Sequence, residues 1–178
     1  MKKMNLQLFE TPQAGVVGRC QHPGYINVAV GGSTETYELL GFGVTQLDDS
    51  PSAKPTAKRY VNQKSATQSI GSYEWTAPLE FDLIRSEKAI EFITNIGEKE
   101  LIGKDAETDY VIVYLEKPSK TTEGSFEAKK RRVAVEISEF SDNDGEIQGS
   151  GNLLGVTDWE FGTFDTKTKK FTPTGVGA

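Results

Sequence analysis

The residue types that supply nucleophiles and metal ligands are scarce in this sequence. It contains one cysteine, Cys20, and one histidine, His22, two positions apart. A thiol close to an imidazole is the combination that a cysteine nucleophile and its base require, whereas two ordinary residues near an N-terminal arm are the simpler interpretation. One cysteine and one histidine cannot form a His- or Cys-based zinc site within one subunit. We therefore expect no metal and no cofactor.

Carboxylates, by contrast, are abundant, because 26 Asp and Glu residues oppose 20 Lys and Arg and give a net charge of −6. This balance argues against a general nucleic-acid binder, whose affinity comes from clustered bases. The segment "DNDG" at 142–145 does not fit an EF-hand, since that loop would begin at Phe140 and end at Gly151 instead of a glutamate. A glycosidase would need two acids facing each other across a cleft, and the sequence identifies no such pair. It predicts a protein without catalytic residues.

The acidic residues have an ordered arrangement in the stretch "SYEWTAPLEFDLI" at 72–84. With the two-residue period of a strand, apolar and polar side chains separate onto opposite faces. The apolar face would carry Tyr73, Trp75, Ala77, Leu79, Phe81 and Leu83, and the other face Glu74, Glu80 and Asp82. Because proline cannot donate to a ladder, we expect a bulge or an unpaired position at Pro78.

Segments rich in β-branched and aromatic residues recur between turn signals, which predicts a mainly β fold. We expect one α-helix at about Ser86 to Ile96, lying against a sheet. Ser86 would cap this helix and Gly97 would follow its last turn; its apolar side would be Ala89, Ile90, Phe92, Ile93 and Ile96. The expected strands are Tyr25 to Val30, Tyr37 to Leu47, Gln68 to Ile84, Asp109 to Glu116, Ser125 to Phe140, Glu146 to Val156, Asp158 to Phe164 and a short one at Phe171.

The connections are of two kinds. Tight hairpins are predicted at Asn143 to Gly145 and in the "TFDTKTKKFTP" segment, since Asn, Asp and Gly accept positive φ. A long structureless loop is predicted at about Asp48 to Ala66, with two prolines and four bases. The run "AKKRR" at 128–132 is interpreted either as an edge strand protected by charge or as a contact with an acidic neighbouring subunit.

Length and composition predict a single soluble domain over residues 1–178, with a flexible N-terminal arm (about 1–23) and a short C-terminal tail (about 172–178). The N-terminus lacks the apolar run of a signal peptide, and no run of about 18 apolar residues indicates a membrane span. Cys20 has no partner for an internal disulfide, so we expect folding in the cytosol.

Two segments carry a resemblance to a known family. They are "AKRYVNQKSATQSIGSYEWTAPLEFDLI" with the capped helix that follows, and "GNLLGVTDWEFGTFDTKTKKFTPT". From about Val44 onward the chain resembles the major tail tube proteins of long-tailed (siphovirus-like) bacteriophages of Gram-positive hosts, or of a related phage-tail-like bacteriocin. The resemblance implies a β-sandwich or barrel-like pair of antiparallel sheets with one flanking α-helix and a long loop. It also implies a virion structural protein, made in the bacterial cytoplasm, whose hexameric rings stack into a hollow tube.

The resemblance also implies partners and roles. The tube would surround the tape-measure protein, contact tail terminator and baseplate or tail-tip proteins, and conduct DNA without binding it specifically or contacting a membrane. Glu74, Glu80 and Asp82 would face the lumen, although strand Gly124 to Phe140 is an alternative wall. Contacts between rings or subunits would come from Lys54, Lys58, Arg59, Tyr60, Lys64, Lys129, Lys130, Arg131 and Arg132. A competing interpretation is a β-sandwich module that binds carbohydrate or another ligand through Tyr73, Trp75 and Trp159.

Overall fold

The computed structural model describes residues 15–29, 34–120 and 124–174, and this part of the chain is mainly β with one α-helix, as the sequence predicts. Short 3₁₀ turns lie at Arg19–Gln21 and Gly103–Ala106. The helix α1 is Lys88–Glu98. The strands are β1 Gly24–Asn27, β2 Tyr37–Leu40, β3 Val44–Leu47, β4 Ala53–Lys58, β5 Thr67–Tyr73, β6 Thr76–Asp82, β7 Glu107–Pro118, β8 Ser125–Asn143, β9 Glu146–Gly155, β10 Glu160–Asp165 and β11 Lys170–Pro173.

Strand β8 organises the large antiparallel sheet because its two halves have different partners. The strand order is β2-β1-β7-β8-β9-β6-β3, with β10 and β11 joined to the N-terminal half of β8. Strand β7 pairs with β8 only as far as Ala134, whereas β9 pairs with it from Val133 to Asn143. We call β3, β6, β9 and residues 135–143 of β8 the acidic sheet, and the remaining strands of the large sheet the curled half. Strands β4 and β5 form a separate two-stranded sheet.

The curled half closes on itself like a small barrel. Although β10 is three strands away from β1, Phe164 contacts Tyr25 with ring centroids 4.7 Å apart and Tyr37 at 5.7 Å. An ion pair between Lys169 and Glu38 joins the β10–β11 turn to β2. These contacts require a strongly curved sheet, and they enclose a core that includes the buried Val111 and Val113 of β7.

The larger core lies between the acidic sheet, α1 and the other face of β1 and β7. Ala77, Leu79 and Phe81 of β6 pack there with Ile90 and Ile93 of α1. Since β7 separates the two cores, Tyr110 to Val113 are buried whichever way they point. This explains why "YVIV" reads as a continuous apolar run without alternation.

Strand β6 confirms the predicted alternation from Trp75 to Phe81. Its ladder with β9 is regular at Pro78. On the side of β6 that faces β3, the Asp48 amide donates to the Pro78 carbonyl at 3.2 Å, but Pro78 has no N–H to donate in return. Strand β3 ends at Leu47, just before Asp48, where this second hydrogen bond is missing.

The helix corrects two predictions. It begins at Lys88, and Glu87 stands at the N-cap position in place of Ser86. Gly97 lies inside the helix and does not terminate it. A Cβ at Gly97 would lie 2.9 Å from Cβ of Ile137 on β8, so the glycine is explained by the close approach of helix and sheet.

Two strand predictions and the loop prediction are also wrong in detail. The segment 37–47 divides into β2 and β3 at a turn where Gly43 has φ +80°, and the segment 68–84 divides into β5 and β6. The loop predicted at about Asp48 to Ala66 contains β4, which pairs with β5. Tyr73 was expected in the core, but it lies on this two-stranded sheet and is 61% exposed.

Both predicted hairpins are confirmed. Strands β8 and β9 are joined through Asp144 (φ +54°) and Gly145 (φ +90°), and β10 pairs with β11. Residues 1–14 of the expected N-terminal arm and 175–178 of the expected tail lie outside the described residues. Among the residues described, no helix is long and apolar enough to cross a membrane.

Candidate assembly surfaces

The two residues best suited to nucleophilic chemistry do not act on each other. Nε2 of His22 lies 2.9 Å from a carboxylate oxygen of Glu116 on β7, and its ring packs edge-on against Tyr114. Cys20 is exposed and its thiol is free. The adjacent cavity, lined in part by Arg19 and Tyr110, holds about 120 Å³, which is less than the few hundred Å³ typical of ligand sites. Within the described ranges no group of His, Cys, Asp and Glu side chains has the arrangement of a metal site.

The outer face of the acidic sheet collects carboxylates from two strands. Residues Glu80 and Asp82 of β6 lie on this face, and Asp82 accepts a hydrogen bond from the Gln148 side chain at 2.7 Å. Ser150 of β9 lies between Glu80 and Glu139 of β8 in the ladder. The sheet therefore brings together two of the predicted acids with acids of β8 that the sequence analysis did not single out.

A β-bulge explains why Glu136 and Glu139 share this face although they are three residues apart. The ladder with β9 shifts between Ile137 and Glu139, so that Ser138 is an extra residue. Glu136 accepts a hydrogen bond from the Asn152 side chain at 2.8 Å, which places both on the outer face. Alongside β6 the acids of this face are Glu80, Asp82, Glu136 and Glu139, and residues 133–157 contain no Lys or Arg.

The third predicted acid, Glu74, has a different position. It lies between β5 and β6, where a carboxylate oxygen is 2.8 Å from Nζ of Lys54. Both side chains are more than half exposed, so this ion pair contributes little stability. Glu74 belongs to the base of the two-stranded sheet and is separate from the group on β6 and β8.

The acidic sheet has an open edge on each side. Strand β3 ends the strand order, and β8 from Val135 onward has lost β7 as a neighbour. In the described part of the chain no other strand pairs with either edge. Open edges present unpaired N–H and C=O groups that pair readily with another chain. The sheet can therefore be extended from both sides by further copies.

The two-stranded sheet β4–β5 with its connection forms an arm, residues 53–73, that continues the β3–β6 ladder. Backbone bonds join Asp48 to Pro78, Ser50 to Thr76 and Ser52 to Glu74 before β4 and β5 begin. All residues of both strands are exposed, as are Tyr60 and Val61 in the connection. The arm contains the bases Lys54, Lys58, Arg59 and Lys64 and no acid.

The second basic run, Lys129 to Arg132, has partners within its own chain. Lys129 pairs with Asp49 at 2.8 Å, Lys130 with Glu160 at 3.3 Å, and Arg132 with Glu107 at 2.8 Å. This part of β8 has β7 on one side and β10 on the other, so the edge-strand interpretation is wrong. Contacts of these bases with a neighbouring subunit remain a prediction.

Arg131 forms what we call the tryptophan clamp with Trp75 and Trp159. Its guanidinium carbon lies 4.9 Å and 4.8 Å from the two ring centroids, and Nη2 donates to the Thr157 carbonyl. Burial lowers the pKa of Arg131, and the charges of Asp158 and Asp49 partly oppose this. The clamp holds the start of β6, at the base of the arm, against the segment between β9 and β10.

The same geometry bears on the carbohydrate interpretation. Trp75 is buried, its plane is 83° from that of Trp159, and the indole Nε1 of Trp75 donates to Asp49. Tyr73 lies on the arm. The three aromatic residues therefore do not form the coplanar exposed platform that the interpretation requires.

The similarity of this chain to known proteins lies in its fold and not in its sequence. No family model matches the chain, and no curated protein matches its sequence. A solved structure of the tail of an empty GTA particle, described with helical refinement and C6 symmetry, contains a chain of similar fold. The match has a TM-score of 0.56 and 8% sequence identity, and it covers 82% of this chain and 98% of that chain. The two chains share a fold.

Proposed function

We propose that this chain is a structural subunit of a phage tail tube, which forms hexameric rings that stack into a hollow tube. The observation that carries the proposal is the acidic sheet with its two open edges. A sheet with two exposed edge strands is prone to pair with other chains and aggregate. Both edges are covered when β3 of one copy pairs with the C-terminal half of β8 of the next copy. In a closed ring no edge remains exposed.

The dimensions of such a ring suit a channel. Six copies of four strands give a barrel of about 24 strands, and at a spacing of ~4.8 Å its circumference is about 115 Å. The diameter between backbones would then be about 37 Å for upright strands and larger for tilted ones. Barrels of 16 to 18 strands already leave an aqueous channel. The C6 symmetry of the GTA tail supports six as the number of copies.

The acidic face would line this channel, with Glu80, Asp82, Glu136 and Glu139 pointing to the lumen. A surface without bases does not bind phosphates, so DNA could pass without being held. The tube would surround a tape-measure protein before DNA passes, and would end at terminator and tail-tip proteins. Glu74 belongs to the arm in this arrangement.

Electron microscopy of the purified protein at high concentration tests the assembly. Rings and tubes with a central channel are expected. A protein that stays monomeric at every concentration and binds a sugar array would overturn the proposal in favour of a binding module.

Cysteine labelling tests the orientation of the acidic face. In a Cys20→Ser background, Glu139→Cys should react with a bulky maleimide polymer before assembly and be protected after it. Lys104→Cys, an exposed position outside the acidic sheet, is the matched control and should react in both states. Equal reactivity of Glu139→Cys in tubes and in free subunits would place the acidic face outside the lumen.

A further inference from the structure

We infer that the basic arm of one copy docks on the acidic β8–β9 turn of a second copy, so that successive rings join head to tail. This inference rests on the proposed function and names the partner surface of the arm. By the β8–β9 turn we mean residues 142–147, where the hairpin extends beyond the end of β6.

The arm has the properties of a surface that needs cover. A two-stranded sheet alone is marginally stable in water, and every residue of β4 and β5 is exposed. Pro55 lies opposite Ile70 in the ladder, with Ala57 two residues along β4, so these three apolar side chains share one face of the arm, together with Gln68. Ile70 and Val61 are exposed apolar side chains. A second protein surface would bury them.

The charge of the arm identifies the kind of surface it fits. Residues 53–73 carry four bases and no acid, so the rest of the chain has a net charge of −6 − (+4) = −10. The base Lys54 pairs with Glu74. Lys58, Arg59 and Lys64 form no ion pair within the described residues, and opposite charge on a partner would bring them into register.

The β8–β9 turn supplies that opposite charge. It contains Asp142, Asp144 and Glu146, and it has no base. None of these three pairs with a Lys or Arg elsewhere in the described chain. Phe140 and Ile147 are partly exposed beside them, so the turn offers apolar area as well as charge.

The register places the arm and the turn at opposite ends of one sheet. At one end of β6, Thr76 pairs with Leu154 and leads into the arm; at the other end, Asp82 pairs with Gln148 and the turn extends beyond it. Six residue steps of about 3.3 Å separate these ends by roughly 20 Å. Because the arm continues the ladder away from the turn, it cannot reach the turn of its own copy. Complementary surfaces at opposite ends produce a heterologous contact that repeats along a line.

Charge reversal in the full-length chain tests the inference, with sedimentation and electron microscopy at about 0.15 M salt to separate tubes from rings. Arg59→Glu with Lys64→Glu should reduce the tube fraction at least tenfold while rings persist, since the sheet edges are unchanged. Asp142→Lys with Glu146→Lys should have the same effect. Combining all four changes should restore tubes. Asp144 is left unchanged because of its positive φ.

The control is Lys104→Glu with Lys167→Glu, two exposed bases outside the arm, which alters the net charge equally and should leave tubes intact. A wild-type protein that forms neither rings nor tubes would overturn the proposed function and this inference with it. Tubes that persist after reversal of the arm, or a fourfold variant that does not recover them, would overturn the inference alone and leave the ring proposal standing.

Discussion

Replacing Gly97 with alanine tests how closely α1 lies on β8. The added Cβ would lie 2.9 Å from Cβ of Ile137 and 3.0 Å from its Cγ2. These atoms adjoin the backbone of a stiff β-branched residue, so they move only if the strand moves. Alanine favours a helix over glycine by about 0.5–1 kcal/mol, whereas overpacking costs about 1–3 kcal/mol. The steric cost is larger, and Gly97→Ala should lower the free energy of unfolding by roughly 1 kcal/mol.

The sign should reverse when the contacting side chain is removed. Ile137→Gly deletes Cβ, Cγ1 and Cγ2, the three atoms nearest the added methyl, so that only the gain in helix propensity remains. Gly97→Ala should then raise the free energy of unfolding by about 0.5–1 kcal/mol relative to Ile137→Gly. The interaction energy of this double-mutant cycle is therefore about 2 kcal/mol.

Urea unfolding followed by far-UV circular dichroism measures all four proteins, at a concentration where sedimentation shows monomers. The urea dependence of the unfolding free energy should stay constant across the cycle, so that midpoints report stability. If alanine at position 97 stabilises both backgrounds equally, α1 lies farther from β8 than the structure indicates, and the explanation of Gly97 by close approach is wrong.

Three further substitutions probe the buried and paired charges. Arg131→Met removes the cation of the tryptophan clamp; at ~1 kcal/mol for each of the two rings, calorimetry should show Tm lower by about 4–8 °C. The control Lys104→Met, at an exposed position, should leave Tm unchanged. Burial raises the pKa of Asp109, so ionisation of this carboxyl lowers the stability of the protein as pH rises through the folded pKa. Asp109→Asn should therefore raise the free energy of unfolding at pH 7, and urea titrations should show this increase shrinking towards about pH 4. A hydrogen bond from Lys169 lowers the pKa of Glu38, so the ionised Glu38 stabilises the protein above the unfolded pKa, and this contribution is lost as pH falls through the folded pKa. Glu38→Gln should therefore lower the free energy of unfolding at pH 7 and leave it equal to that of the wild type near pH 3 in the same titrations.

The elements predicted correctly are those whose pattern is local. Strand β6 alternates because one face is buried along its whole length, and the β8–β9 hairpin is specified by Asp144 and Gly145. The helix was recognised from its apolar side. Its C-terminal end is misplaced because Gly97, which looks like a terminating glycine in the sequence, is instead required by the close approach of Ile137.

Strand β4 of the arm lies in the segment that the sequence predicts as a structureless loop, for a related reason. A strand shows alternation when one face is buried, and neither face of β4 is covered within the chain. The acidic face was only half recognised, since the bulge at Ser138 shifts the alternation in β8 and brings Glu139 beside Glu136. The bases at 129–132 are interpreted from the sequence as an edge strand or a subunit contact, because no sequence pattern predicts that Arg131 lies between two tryptophans from distant segments.

The uneven distribution of charge along the chain matters because assembly repeats every charged side chain around the ring. In the proposed hexamer every side chain on the acidic face occurs six times in each ring, so one lysine there would offer six phosphate contacts. Six to ten such contacts change DNA affinity by about 10³–10⁵ between 50 and 200 mM salt, which would hold DNA that must move. A face without bases over residues 133–157, and an arm without acids over residues 53–73, are therefore the distribution that a stacked conduit requires. The net charge of −6 is a sum over the whole chain and does not indicate this separation into a face without bases and an arm without acids.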